Sequence, residues 1–446
     1  MSVELVSILV LAVIFLIATI RPVNLGALAI VAAFVLGLAV LEGADLDEKT
    51  DAIFAGFPGD LFVILVGVTY LFAIASANGT VDWLVHAAIR AVQGRIGLIP
   101  WIMFLVTACL TAMGAVVPAS VAIIAPIGMG FALRYGINPL MMGLLIINGA
   151  SAGGFSPISI FGGITNGVVE KAGLPGNPTL LFLASFFVNL AISLVAFFMW
   201  GGRDLLRRRV STAPANAAPT NAAPTNAAPT NAAPTDAAPT EDPEPITLDR
   251  NRIMTIVGLL GLAVAALFFD LNVGLVAITV AVILTLAAPD SARDAVNHVA
   301  WPTVLLVCGI VLYVGVMQSI GTIDWLGEEV ATVGTPLIAA LVICFIGAAV
   351  SAFASTTGIL GALIPLAVPF LTGTDAVGAV GLITALALSS SIVDSSPFST
   401  SGALTVANTP EDRRDYVYKG LMRWGFSMVV LIPILTWLIF VVPGWL

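Results

Sequence analysis

The sequence predicts an all-α polytopic membrane protein made of two inverted-topology repeats, each with a re-entrant hairpin and a broken transmembrane helix. Three observations carry this reading. Hydrophobic residues make up 59% of the chain and charged residues only 10%, against about 25% charged in a typical soluble domain. Two motifs occur twice at nearly one offset: Gly79-Thr80-Val81-Asp82-Trp83-Leu84 returns as Gly321-Thr322-Ile323-Asp324-Trp325-Leu326, and Ser156-Pro157-Ile158-Ser159-Ile160-Phe161-Gly162 returns as Ser396-Pro397-Phe398-Ser399-Thr400-Ser401-Gly402. Clusters of Gly, Pro and Ser interrupt apolar sequence, freeing backbone groups that lipid cannot satisfy, so these regions face protein or a wet cavity. Internal repeats joined to interrupted hydrophobic segments are the signature of a secondary transporter.

A bilayer core of about 30 Å needs roughly 20 apolar residues per helix. The first half offers such runs near 3–20, 24–41, 58–77 and 178–200, with a complicated stretch between 98 and 172. The second offers 253–269, 272–288, 302–319 and 421–444, with a matching stretch between 334 and 408. The first run carries Glu4 where a secretory leader needs basic residues and leads directly into Arg21-Pro22 and another span, so it reads as a retained helix.

Reading each complicated stretch as a hairpin that turns back inside the membrane, followed by one helix broken at its Ser-Pro motif, gives each half five crossings. An odd number inverts the second copy. Charge provides an independent check: with the central linker in the cytoplasm, only Lys49 and Lys171 of the 17 basic residues fall outside, as the positive-inside rule requires. The acidic loop with Asp45, Asp47, Glu48 and Asp51 then lies outside, as do Glu328, Glu329 and both termini. The expected home is the bacterial plasma (inner) membrane. The organisation is a first repeat over 1–202, a linker over 203–252 and a second repeat over 253–446. Asn-Ala-Ala-Pro-Thr repeats fill the linker from about 216 to 240, a composition with little apolar surface to bury.

The formal net charge is -9, and no basic patch supports nucleic-acid binding. Cys109, Cys308 and Cys344 lie in apolar runs without metal-ligand spacing and read as small buried hydrophobes. His86 and His298 flank membrane segments and read as structural. In the Gly-Thr-Val/Ile-Asp-Trp-Leu motif, Asp82 and Asp324 sit near helix starts, where a carboxylate complements free amides, and Trp83 and Trp325 suit the interfacial belt. The expected product is an amphipathic arm leading into each hairpin.

The second hairpin reads Ser351-Ala352-Phe353-Ala354-Ser355-Thr356-Thr357-Gly358 before Pro365, placing three consecutive hydroxyl residues at the tip. Hydroxyls and freed carbonyls are hard oxygen ligands suited to sodium, and tip amides suit a carboxylate. The first hairpin, Gly114-Ala115-Val116-Val117-Pro118-Ala119-Ser120 before Pro126, offers far fewer such ligands.

On these motifs the chain resembles the divalent anion:sodium symporter group of the wider ion transporter superfamily, and most closely the MatC-type dicarboxylate carriers. In that family each hairpin tip carries a Ser-Asn-Thr triplet and each broken helix a Thr-Pro loop. Here the second triplet falls on Ser355, Thr356 and Thr357, and the Thr-Pro positions fall on Ser156-Pro157 and Ser396-Pro397. The first triplet falls on Val116, Val117 and Pro118, which supply no equivalent ligands. The resemblance implies a homodimer in the lipid bilayer, whose hairpins and broken helices form a transport domain moving like an elevator against a scaffold. It also implies a small carboxylate anion as cargo and sodium as coupling ion, with a proton as the alternative.

Both broken helices collect polar residues: Asn148, Ser151, Ser156, Ser159, Thr165 and Asn166 in the first, and Ser389 to Ser391, Asp394, Ser395, Ser396, Ser399 and Thr400 in the second. Pairing of the clusters by the repeat points to a shared midplane site. The expected substrate ligands are Asn148, Ser156, Ser159, Ser355, Thr356, Thr357, Ser399 and Thr400. The expected cation ligands are Asp394, Ser355, Thr356, Ser395, Ser396 and Ser156. A carboxylate at the depth of Asp394 costs roughly 2.5–3.5 kcal/mol on insertion scales unless paired. A bound sodium or a proton is one partner; capping of the half-helix after Ser396-Pro397 is the competing role. A dianion would be repelled by Asp394 until the cation arrives, making coupling obligatory. Two rivals keep the fold: a sodium/proton antiporter and a monocarboxylate carrier. An intramembrane enzyme would need a convergent set of His, Cys or paired carboxylates that the sequence lacks.

Overall fold

The computed structural model describes residues 2–444 except 22, 42, 44, 91–94, 208–247, 270, 324, 326–335, 353–355, 369–370 and 372–376. The linker repeats, Asp324, Glu328, Glu329 and Ser355 therefore lie outside the described residues. The rest is helical, and six helices among the described residues are long and apolar enough to cross a membrane: Gly59–Ala77, Val117–Tyr135, Pro178–Met199, Trp301–Ser319, Ala379–Ala407 and Glu411–Val441. Shorter apolar helices include Leu25–Val40, Pro139–Gly153, Val273–Ala287 and Pro336–Ser351. Several spans begin at one of the chain's few polar residues. Asn24, Asn138, Asn177, Asp249 and Asn272 each accept a hydrogen bond from a first-turn amide, meeting donors that lipid would leave orphaned.

Helix Leu25–Val40 of the first half packs on Trp301–Ser319 of the second, and Val273–Ala287 of the second packs on Gly59–Ala77 of the first. Both contacts are made through glycine. A Cβ on Gly309 would meet the backbone of Gly26, and one on Gly67 would lie 2.5 Å from the carbonyl oxygen of Gly274. Close backbone approach through small residues is how apolar helices associate where lipid removes the hydrophobic drive.

The Gly-Thr motif adds a polar link to the same exchange. Gly79 and Gly321 adopt φ of 74° and 77°, a left-handed turn that favours glycine. Just after the second turn the Thr322 and Ser7 hydroxyls lie 2.9 Å apart, and just before the first the Asn78 amide donates to Thr255 at 2.6 Å. Each turn thus docks onto the first helix of the opposite half. Asp82 lies in the first turn of helix Thr80–Arg90, as expected.

The first hairpin comprises helices Ile99–Ala112 and Val117–Tyr135, with its turn opened by Gly114 at φ 111°. The second comprises Pro336–Ser351 and Thr356–Ala367. Each packs on the first part of the broken helix that follows it, Pro139–Gly153 or Ala379–Ile392, whereas the restarted parts cross over: Ile160–Lys171 packs on Thr356–Ala367 of the second hairpin and Thr400–Ala407 on Val117–Tyr135 of the first. Val117–Tyr135 is long enough to span by itself and carries Pro126 inside it. Cys308 and Cys344 are buried as expected, whereas Cys109 is exposed on the outward face of Ile99–Ala112. Apolar periodicity cannot tell a lipid-facing residue from a core one, because both environments favour the same side chains.

A candidate carrier site at two helix breaks

At the first break the Ser156 hydroxyl donates to the carbonyl of Ala112, at the end of the hairpin's first arm, at 2.9 Å. At the second, the Ser396 hydroxyl donates to the carbonyl of Ala352 at 2.7 Å. Three residues on, Ser159 and Ser399 cap the restarted helices, each accepting from a glycine amide, Gly162 or Gly402, at 3.2 Å. Their hydroxyls point back at carbonyls of the break: Gly154 and Ser156 for Ser159, Asp394 and Ser396 for Ser399. A Cβ on Gly162 or Gly402 would strike the carbonyl oxygen of Ser156 or Ser396, so only glycine lets the chain turn so tightly here. The Ser-Pro motif is thus a clasp holding each hairpin to its break. These four serines, all among the expected ligands, have their hydroxyl hydrogens engaged by backbone carbonyls, and each also accepts from a backbone amide.

The breaks differ in what surrounds the clasp. The second gathers hydroxyls and the buried carboxylate of Asp394, which is 6% exposed. Asp394 Oδ2 accepts from the Ser401 hydroxyl at 2.5 Å, and no basic side chain pairs with Asp394 among the described residues. Ser399, rather than Asp394, is the residue that caps helix Thr400–Ala407. Nearby, the Thr356 hydroxyl lies 2.8 Å from that of Ser351 and 3.4 Å from the carbonyl of Ser390. The Ser390 hydroxyl is buried without a hydrogen-bond partner, an expense that marks it for explanation. Ser395 donates to its own helix at Ile392, 3.1 Å away. Thr357 is buried with this group, while Thr400 is exposed beside Phe398.

In the first half, the Asn148 amide donates to Ser193 at 3.1 Å and the Ser185 hydroxyl donates to the Ser151 carbonyl at 3.0 Å. Ser185, Asn189 and Ser193 form one buried stripe on helix Pro178–Met199, facing the first broken helix. Sequence reasoning passed over them and over Ser401. The signal was present for the stripe, since polar residues at i, i+4 and i+8 of an apolar helix share one face. A cavity of about 560 Å³ reaches the first hairpin's turn at Gly114 and Val116, and is lined also by Thr69, Ser76, Asp294 and His298. Among the described residues no group of three His, Cys, Asp or Glu is placed to hold a metal.

Hairpins clasped to broken helices, embedded in a bundle of apolar spans, define a multi-pass helical membrane protein. Residues 1–154 match the family model described as the dicarboxylate carrier protein MatC N-terminus, in accord with the resemblance drawn from the hairpin and Ser-Pro motifs. That family is one of carriers, not of enzymes. The fold is similar to that of the Alcanivorax borkumensis YdaH transporter, a crystal structure described as revealing an unusual topology. The two share 12% sequence identity with a TM-score of 0.58, over 94% of this chain and 97% of that one. No curated protein sequence matches the chain.

Proposed function

We propose that the chain is a secondary active carrier of small dicarboxylates, three- or four-carbon acids such as malonate or succinate, driven by sodium or protons. The observation that carries this reading is the pair of Ser-Pro breaks, each buried and each hydrogen-bonded to its own hairpin. Irregular backbone at membrane depth is kept where it lines a binding site. The two copies are inverted repeats, with the linker cytoplasmic, both termini outside and the protein a homodimer in the bacterial inner membrane. Hairpins and broken helices move together as an elevator against the spans interlocked through glycine. Asp394 with Thr356, Ser395 and Ser396 holds the cation; Asn148, Thr357 and Thr400 offer donors to the anion, while Ser156, Ser159 and Ser399, whose hydrogens go to backbone carbonyls, shape the breaks around it. The donor set suits sodium: one carboxylate and several neutral oxygens, with a buried hydroxyl at Ser390 that lacks a partner. The test is uptake of labelled malonate and succinate into proteoliposomes under an inward sodium gradient, an inward proton gradient or neither. Cation-stimulated uptake of either acid is the expected result, and none by folded, inserted protein sinks the reading.

A monocarboxylate carrier is the second reading, favoured by the apolar surroundings of the first break, where Phe155, Phe161 and Val117 leave few groups for a second carboxylate. Uptake of labelled lactate in the same vesicles separates the two.

A further inference from the structure

We infer that this carrier couples through a single monovalent cation per chain, held at the second break, and that the first break is closed to ions by an apolar plug. The inference rests on the carrier reading above and concerns which of two related breaks can hold charge.

The two breaks place equivalent positions on a shared backbone. The clasp bonds, the caps and the obligatory glycines coincide, so Gly154 stands where Asp394 stands, Phe155 where Ser395 stands, Phe161 where Ser401 stands and Ala150 where Ser390 stands. Val117 and Thr356 each open the second arm of a hairpin. At all five positions the second break presents a polar group and the first an apolar one.

The apolar set also fills the space. The Phe155 and Phe161 rings lie 5.5 Å apart and both are buried. A Cβ at Gly154 would sit 3.1 Å from Phe161 Cδ2 and 3.3 Å from Val117 Cγ2, so even one carbon of an aspartate side chain crowds its neighbours. An ion placed there would meet the buried hydroxyls of Ser151 and Thr165 but no negative charge to offset the hydration it loses. At the second break the Gly154 position supplies a carboxylate instead, held by the Ser401 hydroxyl at 2.5 Å, with the buried Ser390 hydroxyl nearby; the carboxylate is what the first break lacks. One carboxylate balances one unit of positive charge, which selects a monovalent over a divalent cation. Sodium is the cation that suits such hard oxygen donors.

The consequence is a charge count. A dianion travelling with one monovalent cation moves one net negative charge per cycle, whereas two cations would make the cycle electroneutral.

The test is equilibrium binding of ²²Na⁺ to the purified full-length protein in nanodiscs, without organic substrate. The expected result is saturation at one ion per chain, with at least tenfold weaker binding in Asp394→Asn and unchanged binding in Phe161→Leu. Two ions per chain in the unaltered protein, undiminished binding in Asp394→Asn, or no binding by folded protein each overturns the inference. Because no substrate is present, failure of the dicarboxylate reading shows separately, as absent uptake by protein that still binds one sodium.

Discussion

At the first break Ser156 holds Ala112 and Ser159 caps the restarted helix; at the second Ser396 holds Ala352 and Ser399 does the capping, with distances agreeing to within 0.2 Å where both are given. Yet where the second break presents Asp394 against Ser401, the first presents Gly154 against the ring of Phe161. Backbone-directed bonds thus recur in both copies, while side chains facing the interior of the break have gone separate ways. The recurring part sets where the chain turns and which hairpin it grips. The divergent part sets whether charge can stay there. Geometry and ligand chemistry are therefore separable, and substitutions should sort into those that act equally on both halves and those that act on one.

The largest effect belongs to the one-sided class. Asp394→Asn removes the only carboxylate in the cluster among the described residues, and loss of one partner from a buried charge pair costs about 3–5 kcal/mol. Sodium-dependent uptake should fall by at least a hundredfold, with detergent-extracted protein still running as a folded species on size exclusion. Full sodium stimulation in this variant would mean that coupling resides elsewhere.

Next come the glycines of the turns, which test the shared class. Gly162→Ala and Gly402→Ala each push a methyl into a carbonyl oxygen, and overpacking of this kind costs about 1–3 kcal/mol. Both should lower thermal stability by similar amounts. If Gly162→Ala were tolerated and Gly402→Ala were not, the two turns would differ in a way that their hydrogen bonds do not reveal.

The clasps themselves rank third. Ser156→Ala and Ser396→Ala each leave a hairpin carbonyl without its side-chain donor, a loss of about 1–3 kcal/mol for a buried group. Both should raise the rate of amide exchange at the neighbouring hairpin turn, and both should slow transport. Equal effects support a common mechanical role. A transport defect confined to Ser396→Ala would instead assign Ser396 to the cation.

Much of this division was legible in the sequence, and the remainder was hidden for physical reasons. The spans, hairpins and breaks are written in hydrophobic run length and in the Pro and Gly that interrupt it, so their positions agree with the helices to within a few residues except at the last span. That helix begins at Glu411, well before the apolar run, because its first turns are polar and exposed. The repeated Ser-Pro motif located both breaks, and the apolar character of Val116 and Val117 already set the first hairpin apart. The clasp acceptors were not legible, because a backbone carbonyl has no residue type to announce it. The Asp394–Ser401 pair was missed for a related reason. Their spacing of seven residues crosses a turn whose geometry, rather than helical periodicity, brings them together.

The smallest effect sharpens the comparison most, because its sign is informative. Ser401 donates to Asp394 at 2.5 Å and so stabilises the carboxylate when no cation is bound. Ser401→Ala withdraws that donor, worth about 1 kcal/mol, from the cation-free state, whereas in the cation-bound state the ion satisfies the same oxygen. Sodium affinity should therefore rise by roughly fivefold, with slower release. A fall in affinity would show that the Ser401 oxygen coordinates the ion directly. Phe161→Leu, at the equivalent position of the first break, changes packing without touching a charge and should leave sodium affinity where it was. A shift in sodium affinity in that variant would mean that the two breaks communicate, and that the plug acts on the ion from across the site.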